Sequence, residues 1–141
     1  MREMICREGD YAALIELYRA SFAPGAVVFL HGDLGTGKTT FIRHLAEELG
    51  IDDLVTSPSF AVANVYHAGT FDIAHLDLYR LDSAAQLEEI GATDFLDGRH
   101  LVLVEWPERC PGFFPAPDLE IAFALTGVPE ERSIRITGGQ P

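Results

Sequence analysis

The residues from Gly32 to Thr39, Gly-Asp-Leu-Gly-Thr-Gly-Lys-Thr, carry the most specific chemistry in this sequence. They fit G-x-x-x-x-G-K-[ST], a loop that wraps a polyphosphate. Glycines let the backbone turn so that several N–H groups converge on one anion. Lys38 is the only lysine among the ten basic residues. It stands where an ammonium reaches the β- and γ-phosphates. The Thr39 hydroxyl is placed to ligate magnesium, and Thr40 to touch the α-phosphate. Asp33, Leu34, Gly35, Thr36 and Gly37 complete the nucleotide-binding run, although Asp33 also reads as simple loop polarity. The competing reading is a glycine-rich turn with an incidental lysine. At average glycine usage of about 7%, a chance match arises on the order of once in a hundred such chains.

Phosphoryl chemistry of this type needs an acid at the end of a neighbouring strand, to hold the metal or its water. Glu105 closes the apolar run Leu101–Val104 and is the candidate; the alternative is an exposed acid that merely ends a strand. In Phe71–Tyr79, strand alternation puts Ile73, His75, Asp77 and Tyr79 on one face. A buried Asp77 requires a partner, such as magnesium, its water or Arg80, whereas an edge-strand Asp77 on the surface does not. Asp77, Glu105 and Lys38 are therefore the catalytic candidates, and Thr39 and Glu105 the metal ligands. Trp106 reads either as a core aromatic or as a neighbour of the nucleotide, and the second is preferred. His75 reads as structural. Arg80 and Arg109 are taken as solvated.

The elements around these residues are legible from periodicity. Ala26–His31 and Leu101–Glu105 are near-continuous apolar runs, as in strands buried on both faces. A helix follows the loop through Thr40–Leu49, closed by Gly50. Asp10 reads as the N-cap of an earlier helix carrying Tyr11, Leu14, Ile15, Leu17, Tyr18 and Phe22. A short strand is expected at Met4–Cys6, and a loop at Asp52–Ser59. A hairpin of Phe60–His67 with Phe71–Tyr79 turns at Ala68-Gly69-Thr70. Short helical stretches are expected at Ala84–Ile90 and Thr93–Leu96, and two closing strands around Leu119–Leu125 and Ile134–Ile136. The expected fold is α/β, a three-layer sandwich of the P-loop NTPase type, with a mixed, mainly parallel sheet and antiparallel additions. Residues 1–137 read as one domain and 138–141 as a frayed tail.

Composition narrows the partners. A net charge of −12 over 141 residues is poor for direct nucleic-acid binding, which depends on neutralising many phosphates. It suits a protein partner with a complementary patch. Cys6 and Cys110 form no CxxC pair and read as reduced thiols. The N-terminus lacks the apolar core of a signal peptide, and no run approaches membrane-spanning length, so a cytoplasmic protein without membrane contact is expected.

His31–Phe41 (HGDLGTGKTTF), Thr56–Phe60 (TSPSF), His75–Leu81 (HLDLYRL), Glu89-Ile90-Gly91 and Val104–Arg109 (VEWPER) together resemble the TsaE family, small bacterial ATPases of tRNA threonylcarbamoyladenosine modification. The resemblance runs from about residue 5 to 137. It implies ATP and Mg2+ as cofactors, phosphate and magnesium on Lys38 and Thr39, and a switch-like loop at Ser57–Phe60. It also implies a functional carboxylate at Asp77, a metal-associated acid at Glu105 and a tryptophan near the nucleotide at Trp106. It implies partners TsaD and TsaB, with tRNA met only through that complex. Ser59 stands where the family usually has Thr, which removes a methyl from the switch-like loop. The activity expected is ATP hydrolysis, weak alone and stimulated by partners. The alternatives are a nucleotide-gated assembly module without essential hydrolysis and a small-molecule kinase.

Overall fold

The computed structural model describes residues 1–51 and 62–140. The loop expected at Asp52–Ser59, the start of the strand expected at Phe60 and the switch-like Ser57–Phe60 lie outside the described residues. The elements are β1 (Arg2–Arg7), α1 (Tyr11–Leu17), β2 (Val27–His31), α2 (Lys38–Glu48), β3 (Ala63–His67), β4 (Asp72–Asp77), α3 (Ala84–Glu89), β5 (His100–Glu105), β6 (Leu119–Leu125) and β7 (Glu131–Gly138). Short 3-10 turns intervene, including Ala92–Phe95 and Pro107–Arg109.

The strands form one sheet in the order β1-β7-β6-β2-β5-β4-β3. The four central strands β6, β2, β5 and β4 pair in parallel, and the flanking pairings β1·β7, β7·β6 and β4·β3 are antiparallel. The expected parallel centre with antiparallel additions is what forms. β5 shows why its run is continuously apolar. Leu101 and Leu103 enter the core beneath α1 and α2, while Val102 and Val104 enter the one beneath α3 and the 107–114 segment. Burying each such side chain contributes about 1.5–3 kcal/mol, so a strand between two layers has no polar position to spare until its last residue.

Phe41 holds α2 to the sheet. Its ring meets Tyr11 of α1 at 5.3 Å and Phe123 of β6 at 5.5 Å, both edge-on. The residue just after the Gly-rich run is thereby locked between helix and sheet, and the start of α2 is fixed.

Two expectations are corrected and one open alternative is decided. Asp10 does not cap α1; its carboxylate accepts from Arg7 N at 2.8 Å and closes the turn before the helix. An Asx-type bond to the preceding turn competes with capping. Gly138, expected to begin a frayed tail, instead ends β7 opposite Leu119. Asp77 is not on an edge strand, since β3 covers β4. Cys6 and Cys110 are free and lie in the two separate cores, where burial pushes both thiols up. No helix among the described residues is long and apolar enough to cross a membrane.

Candidate active site

Parallel packing sets the C-terminal ends of β2, β5 and β4 side by side, so the segments leaving these strands meet at one place. In open α/β sheets such ends are where ligands bind. Gly32 leaves β2 with φ 146°, and a Cβ there would come within 2.6 Å of Thr36 Oγ1 and 2.8 Å of the Phe123 carbonyl oxygen. No larger residue fits. Thr36 is buried, and its hydroxyl donates to the Asp33 carbonyl at 2.8 Å, drawing the loop into a tight arch. Gly37, at φ 93°, turns the chain into α2. Asp33, Leu34 and Gly35 form the exposed crest. Beneath it Thr39 and Thr40 occupy the first turn of α2, whose leading N–H groups have no helical acceptor and favour an anion.

Sequence reasoning missed Arg132. From β7, its Nε donates to the Thr36 carbonyl at 2.9 Å, and its Nη1 to the Pro129 and Glu131 carbonyls at 2.8 and 2.9 Å. No local signal marks it. Only the antiparallel β6·β7 pairing brings it to the loop. An open cleft of about 370 Å³ beside it has a lining that includes Arg7, Glu8, Tyr11, Thr40, Glu130 and Arg132. A larger cleft, of about 520 Å³, lies at the opposite ends of the strands around Phe71, Asp72 and His100, away from these residues.

Facing the loop is a ledge of carboxylates. Asp77 and Glu105 are register partners at the ends of β4 and β5. Glu105 is 3% exposed, so it is not the surface acid that spacing alone allowed. Its Oε2 accepts from His75 Nε2 at 2.6 Å, and among the described residues the fully buried His75 has no partner at Nδ1. Asp77 is half-buried, and its Oδ1 accepts from Tyr79 N at 3.1 Å. Burial pushes the Asp77 carboxyl up; the Tyr79 N–H opposes this, Glu105 adds to it, and His75 and Lys38 oppose it.

Lys38 joins loop and ledge. Its ammonium donates to the Gly32 carbonyl and stands 4.2 Å over the Trp106 ring. Burial pushes its pKa down, against the pull of Glu105, Asp77, Glu108 and Asp33. A cation desolvated this way, with a carbonyl and an aromatic face as near neighbours among the described residues, gains from an arriving anion. Trp106 is the one non-glycine at positive φ among the described residues, at 58°. That sparsely populated conformation places its ring by the lysine rather than leaving it as simple core. Trp106 also packs on Tyr79 at 4.9 Å, and the Arg109 guanidinium lies over Tyr79 at 5.3 Å. Arg109 is exposed, yet stacked rather than merely solvated. Arg80 is exposed.

Among the described residues no three His, Cys, Asp or Glu cluster to cage a metal. The donor set is a hydroxyl at Thr39 and hard carboxylate oxygens at Glu105 and Asp77. It suits a divalent cation that takes few protein oxygens and completes its shell from phosphate and water, the habit of magnesium.

Comparison with known proteins places the chain in one family. Residues 7–134 match the model of a family described as "Threonylcarbamoyl adenosine biosynthesis protein TsaE". The tRNA threonylcarbamoyladenosine biosynthesis protein TsaE of Bacillus subtilis (strain 168) is 37% identical over 125 residues, covering 89% of this chain and 77% of that protein. The protein of the same name from Rickettsia conorii is 36% identical over 115 residues, 81% of this chain and 65% of that protein. The crystal structure of Bacillus subtilis YdiB superposes with a TM-score of 0.75 at 30% identity, covering 99% of this chain and 87% of that one.

Proposed function

The chain belongs to the TsaE family, and from that premise we propose that it binds and hydrolyses Mg-ATP in support of tRNA threonylcarbamoyladenosine biosynthesis, acting within a complex with TsaD and TsaB. The observation that carries the reading is Lys38. One buried ammonium stands where the Gly32 carbonyl, the Trp106 ring and the field of two strand-end carboxylates meet.

Each residue then has a task. Backbone N–H groups from Leu34 to Thr39 and the open start of α2 hold the phosphates. Lys38 leaves the Gly32 carbonyl to pair with the β- and γ-phosphates. Magnesium, when bound, neutralises charge developing on the phosphate oxygens. Thr39 and Glu105 are the residues that hold it. Asp77, with its pKa raised by burial, orients the attacking water and receives its proton. Trp106 shields the polyphosphate from solvent, and Thr40 borders the α-phosphate. The cleft beside Tyr11 and Arg132 reaches Thr40 and takes the nucleoside.

Partner dependence follows from the cations. The side chain of Arg132 is engaged with three carbonyls, and Arg109 lies on Tyr79. An arginine supplied in trans is a common source of transition-state charge stabilisation in this chemistry. A net charge of −12 directs the protein to basic protein surfaces rather than to tRNA itself. The test is phosphate release from Mg-ATP by the chain alone and with TsaD and TsaB, alongside calorimetry of Mg-ATP and Mg-ADP. Binding with slow turnover, accelerated by the partners, is expected. A folded chain that ignores both nucleotides at millimolar concentration overturns the reading. Equal rates with and without the partners remove the complex from it.

A further inference from the structure

His75 is a buried titratable side chain at the strand ends that this mechanism leaves idle. It is fully buried on β4, two residues before Asp77, and its Nε2 lies 2.6 Å from Glu105 Oε2. A carboxylate only accepts hydrogen bonds, so Nε2 donates. Its other nitrogen meets no donor or acceptor among the described residues. An imidazole serving the core alone would be better replaced by an apolar ring, because an unmatched buried nitrogen costs free energy. The strand register explains what the contact accomplishes. His75 is opposite Leu103 and Asp77 opposite Glu105, so the imidazole reaches diagonally from behind the ledge to the glutamate. With Oε2 tied back, the glutamate's remaining freedom is restricted and Oε1 is the oxygen left for the site. The Tyr66 ring, 6.3 Å away between centroids, flanks the imidazole from β3.

We propose that His75 is a positioning residue, a buried hydrogen-bond donor that fixes Glu105 so that one carboxylate oxygen is presented to the magnesium ion. The proposal rests on the Mg-ATP reading above. A histidine orienting a metal-bound carboxylate acts through that carboxylate, and loss of such outer partners typically costs about 10–100-fold in metal affinity.

The experiment separates metal from nucleotide. With protein in excess over ADP, Mn2+ is titrated and free ion followed by electron paramagnetic resonance. ADP binding without metal is measured by calorimetry. His75→Phe keeps a ring and removes the donor; it should raise the Mn2+ half-saturation about tenfold or more and leave metal-free ADP binding within about twofold. His75→Gln returns an N–H near Nε2 and should recover most of the loss. An unchanged Mn2+ half-saturation in His75→Phe overturns the proposal. So does a loss of metal-free ADP binding in both variants, which would make His75 a packing residue only. Should His75→Phe not fold, the 15N resonances of the His75 imidazole, assigned by their loss in His75→Gln, decide the matter. They should shift when Mg2+ is added to the ADP complex, and silence overturns the proposal. A wild-type chain that binds no ADP overturns the parent reading, and this one with it, before any variant is made.

Discussion

The glycine loop and the carboxylate ledge lie on either side of Lys38, and they are built from opposite materials. The loop is backbone. Its shape comes from turns at Gly32 and Gly37, a hydroxyl tied to Asp33 and one arginine from β7. The ledge is side chains, with Asp77 and Glu105 set opposite each other by strand register and His75 buried behind. Backbone amides are neutral and cost little to leave facing water. Carboxylates and an ammonium brought together and half or wholly buried cost stability until a ligand arrives. The loop is therefore expected to be sensitive to shape and the ledge to charge.

The largest test of that contrast is Asp77→Asn, which keeps the shape and removes the charge. Turnover should fall about 10²–10⁴-fold, the usual worth of a positioned general base, with nucleotide affinity little changed. Stability should move the other way. Burial raises the Asp77 pKa, so this group favours folding at low pH and loses that contribution as pH rises through its raised value. The nucleotide-free variant should melt above wild type at neutral pH, and the gain should vanish near about pH 4, where the unfolded carboxyl also holds its proton. Calorimetric melting across that range checks the sign. A variant that melts lower at neutral pH would mean Asp77 is held by attraction rather than tolerated for function.

How much of this was legible beforehand follows the same division. The loop could be read from eight consecutive residues because its chemistry is local, and β2 and β5 declared themselves by uninterrupted apolar runs. The ledge was only half legible. Spacing put His75 and Asp77 on one face, but whether that face was buried depended on β3 covering β4. The link from His75 to Glu105 spans 30 positions and needs the parallel register. Arg132 was invisible for a like reason, since its role depends on where β7 folds back. Asp10 misled because the pattern for an N-cap is also the pattern for closing a turn.

Next in size is Lys38→Met. Losing a charge-assisted contact of about 1.5–3 kcal/mol should weaken Mg-ADP binding about tenfold or more, read by calorimetry. Because burial lowers the Lys38 pKa, the empty wild-type protein gains stability from this group only as pH rises toward the ordinary lysine value of about 10.4. The empty Met variant should therefore be no less stable than wild type at neutral pH. A marked loss would show that the ammonium's bond to Gly32 and its place over Trp106 outweigh desolvation.

Shape sensitivity is tested inside the loop by two alanines. Gly32→Ala drives a methyl into Thr36 Oγ1 and the Phe123 carbonyl and should destabilise by about 1–3 kcal/mol, as overpacking does. Gly35→Ala meets open space and carries only the strain of its φ of 81°, about 1 kcal/mol. Urea unfolding of both orders them. Equal losses would mean that the loop's conformation, not its seat against β6, limits the residue.

The smallest expected effect is also the most discriminating for the loop. Arg132→Gln removes the bond to the Thr36 carbonyl and those to Pro129 and Glu131. A hydrogen bond nets about 0.5–1.5 kcal/mol, so ADP affinity should drop roughly two- to tenfold if the arginine braces the loop. Were it instead a strut for the turn between β6 and β7, urea stability would fall and ADP affinity would hold. The two readouts diverge because Thr36 belongs to the loop, whereas Pro129 lies in the turn and Glu131 at the start of β7. A fall in affinity with stability kept would show that a backbone-built site still depends on one side chain, supplied from a strand that reaches it only through the antiparallel flank of the sheet.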